Sequence, residues 1–384
     1  MNDNTLILTI FGDICPVADT YTAFSSGNPE RLLSDEIRCI ISTSDIIVGN
    51  LECAVTDSPK PIKKAGPVLY TSSKSVETLA AAGFSALSLA NNHIRDCGSD
   101  GVESTIDTCK KYGISTFGAG NTVNAAKEPY IFMAKNMKIA FISFAEEEFN
   151  AVSPDSCGAA ILDVYYDFER ITKLRSEVDY LVVLFHGGIE YHPFPSPLLQ
   201  KRCRRIAEAG ADLILCQHSH CIGTYEHYGK ATILYGQGNS LFGYRCNNDS
   251  WNQGLLVKVR IDADAGTSQI EFLPCQTDDD SVLHLCHDNE AQIIMKEFND
   301  NSSKISSADF IAEQWSCFCQ KSENLNIPLL LGWNRYLIYI NRKLKGILLR
   351  IVYGRRKRNI THNLLRCESH HEVLRTILGK YNFK

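Results

Sequence analysis

The chain has 384 residues, 44% of them hydrophobic and 22% charged, with a net charge of −5. That balance suits a globular protein of one large domain, or a large and a small one, and it excludes a chain built mainly to bind nucleic acid. Fifteen cysteines are scattered without a CxxC pair, Cys317 and Cys319 being the nearest two, so zinc ribbons are excluded and free thiols in a reducing cytoplasm are expected.

Asn2, Asp3 and Asn4 lead directly into the apolar run Leu6 to Phe11, which is not a signal-peptide pattern. "TLILTIFGD" reads as the first strand, Pro29 to Ser42 as an amphipathic helix, and "DIIVGNLE" as the second strand. A helix over Lys74 to Ala82 ends at Gly83, "FSALSLANNH" is a third strand, and a helix from about Ser99 to Tyr112 stops at Gly113. "ISTFGAG", "KIAFISF", "DYLVVLFHGG", "ADLILCQHSH" and "ATILYGQGNS" continue the series, an alternation that predicts an α/β domain with a largely parallel sheet. "GLLVKVRID" and "SQIEFLP" flank an Asp-Ala-Gly turn and read as a hairpin. After Pro274 the pattern turns helical and basic, which places a boundary near residue 278: a domain over 1–277 and a helical C-terminal region over 278–384. No apolar run reaches the ~20 residues of a membrane span.

Polar residues able to bind metal stand at the C-terminal ends of five predicted strands: Asp13, Asn50 with Glu52, Asn92 with His93, His186 with Glu190, and His218 with His220. In open α/β sheets that edge is where sites form. Asp, Glu, Asn and His together are the hard and borderline donors that suit Zn, Mn or Fe. His218-Ser219-His220 is expected to put both imidazoles on one side of an extended segment. Glu190 and Tyr191 are expected to orient His186, and Asn239 to hydrogen-bond a ligand. Asp96 and Gly98 read as shaping the turn into the following helix.

The stretches "FGDICP", "GNLECAVT", "LANNHIRDCGSDGVESTIDTCKKYGISTFGAG", "HGGIEYHPFPSP" and "AGADLILCQHSHCIGTYEHYGKATILYGQGNSLF" resemble the CapA family of poly-γ-glutamate capsule synthesis, relatives of the calcineurin-like metallophosphoesterases. The resemblance covers roughly residues 5 to 245 and implies a four-layer α-β-β-α sandwich with one or two divalent ions (Mn, Zn, Fe or Mg) at the strand ends. It makes Asp13, Glu52, Asn92, His186, His218 and His220 metal ligands, with Glu52 in a bridging position and Asn50 beside it, and makes His93 catalytic. Two positions depart from the pattern: Cys15 stands where phosphoesterases carry a histidine, which weakens one metal site, and Ser219 stands where relatives more often have Pro.

The activity this implies is metal-assisted hydrolysis, with His93 protonating the leaving group of a phosphoester on a small molecule or polymer precursor. Two alternatives stay open: a poly-γ-glutamate synthesis or processing factor that cuts an amide, and a non-catalytic retained fold. In the C-terminal region Leu337, Ile340, Leu344, Ile347 and Leu348 recur at helical spacing with Arg342, Lys343, Lys345 and Arg350 between them. This reads either as a helix docked on the catalytic domain with a solvated basic face, or as a basic amphipathic helix on an anionic membrane surface.

Overall fold

In the computed structural model, which describes residues 4–17 and 20–379, the apolar runs form strands buried on both faces. Asn2 and Asp3 fall outside the described residues. Along Thr5–Ile14, Leu6, Leu8 and Ile10 join an apolar layer between two sheets, while Phe11 and Ile14 join a second layer beneath helices. Strands covered on both sides carry near-continuous apolar sequence, which is why these runs were legible.

The larger sheet has eight strands. In order across it lie Leu283–Leu285, Thr267–Thr277, Gln253–Asp262, Thr5–Ile14, Ile46–Leu51, Ala86–Ser88 and Ser115–Phe117, and Asn239–Leu241 pairs with the end of Thr5–Ile14. The run from Thr5–Ile14 to Ser115–Phe117 is parallel, and the expected hairpin Gln253–Asp262 with Thr267–Thr277 adds antiparallel strands. The second sheet has six, in the order Tyr225–Tyr228, Ala231–Leu234, Leu213–Gln217, Tyr180–His186, Met137–Ala145 and Tyr130–Ala134, parallel inside and antiparallel at both edges.

Between the sheets, Leu6, Leu8, Val257 and Val259 pack with Ile139, Val182, Leu184 and Leu215. Outside the larger sheet, helices Asp35–Ser42, Ser73–Ala81 and Gly98–Lys111 bury Ile37, Leu79 and Val102. Outside the smaller one, Asp167–Arg175 and Pro197–Glu208 bury Ile171, Leu199 and Ile206. The result is the four-layer α-β-β-α sandwich. The C-terminal ends of parallel strands from both sheets meet along one edge, so the polar residues that follow them collect there.

Two expectations shift. The single helix over Pro29–Ser42 is a short 3₁₀ turn, Pro29–Arg31, and a separate helix, Asp35–Ser42. Between them Leu33 bridges Leu283 and the Ser34 hydroxyl caps the second helix by accepting from the Ile37 N–H. The boundary placed near residue 278 falls at 311/312 instead. The chain divides into residues 1–62 with 66–311, and residues 312–384 with 63–65. Leu283–Leu285 pairs with Thr267–Thr277, and Asp288–Ser302 stacks Phe298 on Tyr225 at 4.8 Å and sets it edge-on to Phe272 at 5.3 Å, which ties both elements to the first unit. Beyond it run the helices Arg335–Lys343, Ile347–Val352, Arg355–Arg366 and Glu368–Gly379. No helix among the described residues is long and apolar enough to cross a membrane.

Candidate metal centre

The centre is built on buried carboxylates. Asp13 closes the first strand after Gly12, whose missing side chain is a requirement, because a Cβ there would run into the Gly238 carbonyl oxygen. Asp13 Oδ1 accepts from Asn50 Nδ2 at 2.8 Å and Oδ2 from the His218 backbone N–H at 3.0 Å. Glu52 follows Ile46–Leu51 and is fully buried, and neither of its oxygens takes a hydrogen bond. Burial raises the pKa of Asp13 and raises that of Glu52 well above the usual carboxylate range, Asp13 adding to the effect on Glu52.

Only histidines face these two carboxylates as potential cations among the described residues. His186 Nε2 lies 3.6 Å from Glu52 Oε1 and His186 Nδ1 lies 3.8 Å from Asp13 Oδ1. His220 Nε2 lies 3.9 Å from Glu52 Oε1, and His220 Nδ1 lies 3.9 Å from Asp13 Oδ2. Burial lowers the pKa of His186 well below its usual value and that of His218 to about 3, with neighbouring histidines adding to both shifts. Burial thus disfavours the charged form of His186 and His218, and the neutral imidazole is the form that binds metal.

Donor atoms fall into two groups that could each hold an ion, Glu52–His186–His218 and Asp13–Glu52–His220, and Glu52 belongs to both. Asn92 stands beside the first, its Oδ1 3.0 Å from His186 Nε2. That is the spacing of roughly 3 Å expected for neighbouring ligands with bonds of about 2.1 Å to one ion. His218 Nδ1 is also buried without a hydrogen bond. Glu52 oxygens without hydrogen bonds, an unbonded His218 Nδ1 and two converging donor groups together fit divalent cations.

Further side chains set the rings. Asn50 Nδ2 also lies 3.1 Å from His186 Nδ1, so this amide packs against both Asp13 and His186. Asn239 Nδ2 donates to the Trp251 carbonyl at 2.9 Å, which leaves its Oδ1 to accept from His220 Nδ1 at 2.9 Å and frees His220 Nε2 as a donor atom. His93 Nδ1 donates to Asp96 Oδ2 at 2.6 Å, and the same oxygen accepts the Leu69 N–H at 2.7 Å, which directs His93 Nε2 away from Asp96.

Several expectations change in detail. Asp96 shapes the turn and also orients His93, a role carried in sequence only by its spacing three residues on. His218 and His220 do not lie on an extended segment: both adopt left-handed backbone, φ +86° and +49°, and this bend turns the imidazoles together. Such strain costs about 1–3 kcal/mol per residue and persists only where surrounding contacts hold it, here including the His218 N–H to Asp13. Tyr191 stands beside His220, with ring centroids 6.1 Å apart, rather than orienting His186. Glu190 is exposed at the rim, adding a negative charge that raises the Glu52 pKa. Cys15 is buried against Cys53, which together with burial holds its thiol protonated. It joins neither ligand group, so the Asp13–Glu52–His220 group has one protein donor fewer than the other.

Three participants were not legible. Asn91 Nδ2 donates to the Leu51 carbonyl at 2.8 Å and its Oδ1 accepts the His93 N–H at 3.1 Å, fixing the loop that carries Asn92 and His93. Its signal was the doubled amide. Trp251 lies 4.8 Å from the His220 ring, and the Arg245 guanidinium lies 3.2 Å from the Trp251 ring centroid. Arg245 makes no ion pair among the described residues, and its backbone is pinned by Asn252 on both sides, at 2.8 and 2.9 Å. Nothing in the sequence marked either residue.

Residues 7–244 match the family described as "Bacterial capsule synthesis protein PGA_cap". The capsule biosynthesis protein CapA of Bacillus anthracis is 26% identical over 275 residues, 69% of this chain and 66% of that protein. The PGA biosynthesis protein CapA of Bacillus subtilis (strain 168) is 29% identical over 242 residues, 61% of this chain and 62% of that one. The chain thus spans just under two thirds of the length of these relatives. Among solved structures, a 5'-nucleotidase precursor from Thermus thermophilus aligns with 84% of this chain and 59% of its own, at 13% identity and a TM-score of 0.42. By the match across residues 7–244, well over half its length, the chain belongs to the bacterial capsule synthesis family PGA_cap.

Proposed function

We propose that this protein is a metal-dependent hydrolase of a phosphoester in a capsule or exopolymer precursor. The observation that carries the reading is Glu52, a buried carboxylate shared by two ligand groups with His93 held beside them. Asp13, Glu52 and His220 would hold one divalent ion, and Glu52, Asn92, His186 and His218 the other. Such ions supply Lewis acidity, lowering the pKa of water and neutralising charge on phosphoryl oxygens.

The chain's own groups do the rest. His93, with Nδ1–H fixed on Asp96, presents Nε2 to give a proton to the leaving oxygen. Asn50 and Asn239 keep the ligand rings from rotating. Arg245, stacked on Trp251 without an acidic partner, offers a fixed guanidinium to an anionic substrate. Replacing Arg245 with Gln should raise KM for an anionic substrate roughly 10–100-fold, the scale of a hydrogen bond to a charged group. Steady-state kinetics should show kcat nearly unchanged, since the anion is bound alike before and during reaction.

A second reading keeps the site and changes the bond. The names of the two Bacillus relatives point to capsule and PGA biosynthesis, so a γ-glutamyl amide is the alternative target. The test is turnover of an artificial phosphodiester and monoester by the full chain. Activity abolished by a chelator and restored by Mn or Zn supports the proposal. A metal-replete protein that cleaves neither ester but shortens poly-γ-glutamate favours the amide reading, and one that cleaves nothing supports a non-catalytic role.

A further inference from the structure

The segment 335–366 carries ten Lys or Arg and no Asp or Glu in a chain whose net charge is −5. The stripe expected over one helix is divided between two short ones, because Lys345 and Gly346 take left-handed backbone, φ +49° and +81°, between them, and a third helix, Arg355–Arg366, carries more of the basic residues. Among the side chains, Ile338, Asn341, Leu349 and Tyr353 turn inward, and Leu348 is partly buried. Leu337, Ile340, Leu344 and Ile347 are exposed, as are Tyr336 at 66% and Ile351 at 74%. So many exposed large apolar side chains in one short segment point to a surface that meets a partner.

Charge and apolarity alternate here over a short distance. Tyr336 and Tyr339 carry Arg335 and Lys343 over their rings, at 5.3 and 5.5 Å, so each aromatic body sits next to a cation. Arg355 and Arg356, with Asn359, Ile360, Asn363 and Leu364, line a shallow groove of about 760 Å³. Of the basic run, Arg358 is tied to Glu323 at 3.5 Å, while Arg350, Arg355 and Arg356 make no ion pair among the described residues. Unpaired guanidinium groups beside exposed Ile, Leu and Tyr match a lipid interface, where apolar side chains enter the acyl boundary, tyrosines sit at headgroup level and cations meet anionic headgroups.

We infer that residues 335–366 form a docking surface for an anionic lipid bilayer, with Ile347 and Ile351 entering it and Arg350, Arg355 and Arg356 contacting its headgroups. The surface is peripheral, since no helix among the described residues crosses a membrane. This does not depend on what the metal centre does.

The test is co-sedimentation of the full chain with vesicles of phosphatidylcholine alone or mixed with phosphatidylglycerol, at low and high salt. The wild type should pellet with the mixed vesicles at low salt, stay soluble with neutral ones, and be released by salt. Arg350→Gln/Arg355→Gln/Arg356→Gln should lower partitioning roughly 10²-fold. Ile347→Gln/Ile351→Gln should lower it roughly 10–100-fold, with circular dichroism and melting confirming that both variants fold. Wild type left in the supernatant at both salts overturns the inference, as does wild-type binding by the folded arginine variant. Tighter binding to duplex DNA than to the vesicles assigns the surface to nucleic acid instead. A dimer in sedimentation velocity that Ile347→Gln/Ile351→Gln dissolves assigns it to a second copy.

Discussion

Glu52→Gln is expected to lose most of the bound metal while keeping the fold. Glu52 is the one side chain common to both candidate ligand groups, so its charge serves two ions. Glutamine has nearly the same shape and no charge. Without metal the substitution removes a fully buried carboxylate that burial and Asp13 both disfavour, so the metal-free variant should melt at or above the metal-free wild type. Added Mn or Zn should then raise the melting temperature of the wild type and leave that of the variant in place, as binding to the native state requires. Elemental analysis and calorimetry read the two halves separately. Full metal content in the variant would remove Glu52 from the centre.

His93→Asn should do the opposite, retaining metal and losing rate. Asn preserves a polar group of similar reach but cannot deliver a proton, so kcat should fall roughly 10²–10⁴-fold. The loss should shrink for p-nitrophenyl esters, whose leaving group needs no proton, and be largest for alkyl esters. Asp96→Asn should produce a weaker version of the same pattern, because Asp96 Oδ2 fixes the His93 tautomer from 2.6 Å. Equal losses for good and poor leaving groups would assign His93 another role.

The strand-end residues were legible because two regularities coincide. Strands covered on both faces are apolar runs, and the first polar residues after them must lie at an edge, so Asp13, Asn50, His186 and the His218–His220 pair announced themselves. What was not legible depended on contacts between distant segments. Asn239 reaches His220 only because Asn239–Leu241 pairs with the first strand, Asp13 opposite Asn239. Trp251 reaches His220 from the short helix Asp249–Asn252, with Arg245 over its ring, in a stretch that carries no periodicity. The bend at His218 and His220 escaped because φ above zero is uncommon outside glycine and no local residue demanded it. The boundary near residue 278 failed for a related reason: a polar break, Asp278 to Asp280, reads as a linker. Yet Asp278 Oδ1 accepts the Val282 N–H at 2.8 Å and turns the chain back onto the sheet.

Anomalous scattering from crystals of the full chain soaked in Mn(II) tests the shared-carboxylate centre most directly. Two peaks should flank Glu52, one against His186, His218 and Asn92, the other against Asp13 and His220. The second should be the weaker, because Cys15 supplies no ligand there. No peak at bonding distance from Glu52, or manganese bound only elsewhere on the chain, would contradict the assignment of this edge as a metal centre.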